Sequence, residues 1–159
     1  NRLIWFPINF IRFLAPFDLL VSMPMSGVPN GILAAVVRKP GTMTLQAVVH
    51  SLLGAVIFGT SFWTWPVNVG RGLIEDLIFS MTIYRWGPSR KTNMWCGIGA
   101  AVAIIYDLVV WMGFVQRYAF GIVWPTWMYP AVILSTAIAI FITYYIGMGL
   151  GEKIRALII

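Results

Sequence analysis

Residues Asn68 to Lys91, NVGRGLIEDLIFSMTIYRWGPSRK, place Arg71, Glu75 and Asp76 inside an otherwise apolar helical run. The run ends in a basic loop broken by Gly and Pro. A charged side chain at membrane depth costs about 2.5 to 3.5 kcal/mol on insertion scales, so three of them within two turns require a purpose. Arg71 and Glu75 are four apart, share a helix face and can pair. Asn68, Gly72 and Asp76 form the neighbouring row. A later apolar run carries Asp107 and Trp111, and an earlier one carries Gln46 and His50, again four apart. Trp63 stands in the short aromatic turn GTSFWTWP. Carboxylates that accept hydrogen bonds from an amine, with indole rings that stack, make a lining for a planar or cationic ligand. Arg71, Glu75, Asp76, Asp107, Trp111, Trp63, His50 and Asn68 are therefore the candidate ligand contacts. Each has a plainer alternative. Arg71 and Glu75 can be an internal ion pair, Asp76 and Asp107 can bond neighbouring helices or broken backbone, and His50 can be an interhelical donor.

Catalytic chemistry finds little support. Cys96 and His50 are the single cysteine and the single histidine, too few for a metal or redox centre. No phosphate-binding loop and no Ser elbow is present. Glu75 and Asp76 point about 100° apart on a helix, which is a poor dyad. No enzyme activity and no cofactor are expected.

The elements that must hold these residues are membrane helices. Of 159 residues, 60% are hydrophobic and only 10% charged, against about 25% charged in a soluble domain. Mean hydropathy is +0.85. The pattern predicts a single all-α integral membrane domain over 1–159, a polytopic helical bundle. Five readable spans fall at about 19–37, 42–62, 67–84, 93–115 and 128–147, each near twenty residues, which suits a hydrocarbon core of about 30 Å. Pro24 and Pro29 predict a kinked or partly unwound first span. Residues 1–17, interrupted by Pro7, Arg12 and Pro16, read as an interfacial or truncated N-terminal helix. A preceding helix would bring the count to six. The segment 116–127 reads as an aromatic loop, and Gly147, Gly149 and Gly151 as the end of the fifth span.

Small residues at Gly27, Gly31 and Ala35 recur every four positions, which lets another backbone approach closely, either within this chain or from a partner. Seven of the eleven basic residues lie in the turns at 38–39 and 85–91 and in the tail at 153–155. Alternating spans put all three on one side, which the positive-inside rule makes cytoplasmic. The expected location is the cytoplasmic membrane, multi-pass, with the C-terminus inside. Arg38, Lys39 and Arg85 would then face partner subunits. The net charge of +6 is read as topology signal, with no nucleic-acid partner.

GILAAVVRKPG (31–41), the G-L-x-x-[DE]-L-x-F core of GLIEDLIFSMTIYRW (72–86), GIGAAVAIIYDL (97–108) and GLGEKIRALI (149–158) together resemble the YkoE-type S components of energy-coupling factor (ECF) transporters. The resemblance covers most of 27–158 and puts Asp76 at the family's acidic position. It implies a six-helix membrane subunit that captures hydroxymethylpyrimidine, thiamine or a related precursor. It also implies a transmembrane T component and ABC ATPases as partners. On that reading Asp76 and Asp107 receive the ligand's amine or offset a cationic ring, Trp63 and Trp111 stack, and Arg71 orients Glu75 or reaches a polar group. Two other readings stand beside it: a non-catalytic structural subunit of a larger membrane assembly, and a small proton-coupled carrier using Asp76 and Asp107.

Overall fold

A computed structural model of the chain describes residues 23–58, 62, 64–119 and 121–158. The expectations for residues 1–17, for the start of the first span and for Trp63 lie outside these. Among the described residues there are five helices and no strand. They are α1 (Met23–Val37), α2 (Thr42–Phe58), α3 (Thr64–Met81), α4 (Arg90–Val110) and α5 (Met128–Ile158).

The sequence explains where most of these helices stop. Arg38 follows α1 with φ 45°, a left-handed position that closes a helix, and its N–H donates to the Ala34 carbonyl at 3.3 Å. Pro40 then blocks continuation, and Gly41 (φ 86°) opens α2. Pro66 sits in the first turn of α3, where its missing N–H costs nothing. Ser89 caps α4 by accepting from the Thr92 N–H at 3.1 Å. Of the kink or partial unwinding predicted for the first span, no unwinding is found among the described residues, where α1 is helical across Pro29.

Two boundaries differ from the sequence reading. First, α4 does not stop near 115; it passes without a break into a π-helix, Trp111–Ala119, so the start of the predicted aromatic loop, 116–119, is helical. Second, α5 runs for 31 residues through Gly147, Gly149 and Gly151. Two of those glycines are contact points, not stops. A Cβ on Gly147 would strike the Val28 carbonyl, and one on Gly151 would lie 2.6 Å from the Ala35 Cβ. On the other side, a Cβ on Gly31 would lie 2.8 Å from the Tyr144 carbonyl, and one on Gly27 would strike Thr143. The Gly27, Gly31, Ala35 stripe is therefore consumed by α5 of the same chain. The expectation that it faces a partner subunit is corrected, since all three residues are buried.

Helix α4 packs between α3 and α5, and α2 lies on α3. The core between them is apolar: Phe79, Ile83, Ala100, Ile104, Leu108 and Tyr144 are almost fully buried. The outside is apolar too. Leu134, Ile138, Ile142, Ile146, Leu150 and Ile154 make an exposed stripe down α5, while Glu75, Asp76 and Asp107 are buried. Among the described residues, two helices are long and apolar enough to cross a membrane: Arg90–Ala119, with mean hydropathy 2.1, and Met128–Ile158, with 2.0. The described α1 and α2 are apolar and shorter.

Candidate functional site

The row that begins with Arg71 turns toward α4 and α5, and there its charges meet others. Arg71 Nη1 donates to Asp107 Oδ2 at 3.3 Å, and Arg71 Nε lies 3.7 Å from Glu75 Oε1. The Tyr144 hydroxyl donates to Glu75 Oε2 at 2.8 Å. One connected set, Asp107, Arg71, Glu75 and Tyr144, thus links three helices. Glu75 is 3% and Asp107 2% exposed. The Arg71 Nε–H is buried and finds no hydrogen bond. Two carboxylates share one guanidinium, so with both acids ionised one negative charge is left unbalanced in an apolar interior. A proton or a cationic group must supply the balance, because an unpaired buried charge costs several kcal/mol.

The Asp76 row turns the other way, toward α2. Its carboxylate accepts from the Met43 N–H at 3.2 Å, the Thr44 N–H at 2.8 Å and the Thr44 hydroxyl at 2.6 Å. The Tyr84 hydroxyl adds a fourth bond at 2.9 Å. Helix α2 has Gly41 at its opening turn, with no side chain to cap the free N–H groups, and Asp76 caps them from the neighbouring helix. Its negative charge also lies at the positive end of α2. Gly72 permits this approach, since a Cβ there would be 2.8 Å from the Met43 carbonyl. Asp76 therefore sits by the basic end of the bundle, five residues before α3 ends. Its expected role as a direct ligand contact is corrected, because its acceptor capacity is taken up within the chain. Replacing Asp76 with Ala is expected to cost about 1 to 3 kcal/mol, read as a lower thermal midpoint in detergent.

The other predicted contacts scatter. Asn68 donates to the Ser51 hydroxyl at 3.1 Å and ties α3 to α2. His50 is exposed. The buried row of α2 is Met43, Ala47 and Ser51, and His50 is turned about 100° from Ser51, onto a shallow apolar groove with Leu33, Val37 and Leu53. It does not join the charged set, and that expectation is corrected. Trp111 is half-buried where α4 becomes a π-helix, and its backbone N–H donates to the Asp107 and Leu108 carbonyls. π-helical insertions recur at functional sites, and this nine-residue segment begins one turn beyond Asp107.

Sequence reasoning missed Tyr144, which looked like one more aromatic residue in an apolar span. It also missed Thr44 and Tyr84 as donors to Asp76. No spacing signal could have found them, because their partners are 32 or more residues away, Tyr84 excepted. At the basic end, Arg38 Nη2 pairs with Glu152 Oε1 at 3.1 Å, and Arg38 Nη1 donates to the Trp86 carbonyl at 3.4 Å. Asn93 Nδ2 reaches the other Glu152 oxygen at 3.4 Å. Lys39 and Arg85 are exposed near the same end. The three basic segments are thus brought together at one end of the bundle. No family model, no curated protein and no solved structure matches the chain.

Proposed function

We propose that the chain is a ligand-binding subunit in a cell membrane, of the S-component type, serving an ECF importer for a thiamine-related pyrimidine or similar vitamin precursor. The observation that carries this reading is the buried set in which two carboxylates, Asp107 and Glu75, share the one guanidinium of Arg71. An aminopyrimidine or a cationic ring supplies both the donors and the charge that this set lacks. The membrane setting rests on the inverted pattern of burial, with acids inside and exposed aliphatic stripes outside. Five spans would cross the bilayer, with the basic end cytoplasmic, and T and ATPase partners would supply the energy. The chain itself would do no chemistry. The contacts on this reading are Asp107, Glu75, Arg71 and Trp111, with Asp76 as a support.

The test is intrinsic Trp fluorescence of the purified chain, titrated with hydroxymethylpyrimidine and thiamine. Quenching in the micromolar range is expected. Asp107→Asn should weaken it about tenfold or more, the worth of one charge-assisted bond. No response from a folded chain would sink this ligand class.

A second reading, a non-catalytic subunit of a larger membrane assembly, is favoured by one specific observation. Asp76 is fully engaged by its own chain, and the charged set bridges α3, α4 and α5 as an internal brace. It predicts fixed-stoichiometry copurification with partners other than ABC ATPases.

A further inference from the structure

The basic end of the bundle holds a second feature, independent of the charged set inside. A cavity of about 640 Å³ opens there, walled by residues from three separate segments. Arg38 comes from the turn after α1, Tyr84, Arg85 and Trp86 from the loop after α3, and Glu152 and Arg155 from the last turns of α5. Three arginines thus line one opening with a single acidic residue among them.

That carboxylate is already committed. One Glu152 oxygen bonds Arg38 and the other bonds Asn93. Arg38 is held as a fixed inner wall, with its side chain 9% exposed. Its guanidinium is pushed below its ordinary pKa by burial and by the nearby charge of Arg155, against the opposing pull of Glu152. Like charges are therefore crowded at this opening. The Arg85 and Arg155 side chains have no hydrogen bond or ion pair within the described residues. Two free guanidinium forks beside a third, fixed one form a receptor for a tetrahedral oxyanion, which accepts bidentate bonds from several directions.

The surroundings are those of a membrane interface. Trp86 is at the rim, with the Lys91 ammonium 5.2 Å from its ring centroid. Leu157 and Ile158, which follow the lining residue Ala156, are 87% and 71% exposed. A tail attached to the anion could lie along that apolar surface.

We infer that this cavity binds a phosphate group, held by Arg85 and Arg155 against the fixed Arg38, and carried by an anionic lipid or by a free phosphate ester. The test is native mass spectrometry of the full chain, purified in neutral detergent. The probes are short-chain phosphatidylglycerol, its phosphatidylcholine counterpart and inorganic phosphate. Phosphatidylglycerol should bind in preference to phosphatidylcholine. Arg155→Gln and Arg85→Gln should each weaken it about fivefold, and together about twenty-fivefold, the effect of losing one and two basic groups at a lipid surface. Lys153→Gln, which removes an exposed charge outside the cavity, should leave it unchanged. Displacement of the lipid by millimolar phosphate identifies a free phosphate ester as the source, and resistance to displacement identifies the lipid. Equal retention of both lipids would overturn the inference. So would an effect of Lys153→Gln as large as that of the two arginine variants. Neither side chain makes a hydrogen bond or ion pair within the described residues, so neither variant should lower the thermal midpoint.

Discussion

Replacing Arg71 with Met is expected to cost the chain about 3 to 5 kcal/mol, the usual effect of removing one partner from a buried ion pair. Glu75 and Asp107 would remain 3% and 2% exposed, with no cation between them. Tyr144 could still donate to Glu75, but a neutral hydroxyl does not balance a charge. The remaining escape is to protonate the acids or open the helices to water. The physical cause can be isolated by a compensating variant. Arg71→Met combined with Glu75→Gln and Asp107→Asn removes all the formal charge from the set, and should recover most of the lost stability. Thermal unfolding in detergent, followed by far-ultraviolet circular dichroism, distinguishes the two. If the single variant melts with the parent, the three charges do not form one energetic unit.

Gly147→Leu is expected to displace α1 from α5. The first added carbon would meet the Val28 carbonyl and lie 3.1 Å from the Gly31 Cα, and both are backbone atoms that cannot rotate away. Overpacking of this kind costs about 1 to 3 kcal/mol when side chains can yield, and more where they cannot. Gly149, two residues on, is the control, because a Cβ there meets nothing within 4 Å. Gly149→Ala should be neutral or stabilise by up to about 1 kcal/mol, since Ala loses less entropy in a helix. The comparison is made by protease protection of α1 and by thermal midpoint. Equal behaviour of the two variants would mean that the α1 and α5 backbones do not meet.

The contrast between the glycines explains how much could be read in advance. Spacing alone identified the stripe at 27, 31 and 35 as a close-approach surface, because every-fourth periodicity is a property of one helix. It could not say which backbone fills that surface. The same limit applies at residues 71–76. The 100° step between Glu75 and Asp76 separates two rows by simple helical geometry, and the structure keeps them separate. Which row meets a neighbour's charges, and which meets a helix end, depends on how α2 and α4 lie against α3. Asp76 drew attention as the family-like acid, yet its four donors come from Met43, Thr44 and Tyr84. Glu75 and Asp107 are the acids that share Arg71.

The sequence by itself determined an all-helical chain, apolar enough for a membrane, with most of its basic residues in three places and three of its five acids inside apolar runs. These follow from composition and from periodicities of three to four residues, which are local. The tertiary structure alone decided that the small-residue stripe is internal, that Asp76 caps α2, and that Arg71 holds Asp107 as a second carboxylate beside the local Glu75. It alone gathered Arg38, Arg85 and Arg155 around one cavity. Those outcomes hang on contacts between residues 30 to more than 100 positions apart, such as Arg38 with Glu152. No local pattern encodes such a pairing, because it is set by how whole helices pack.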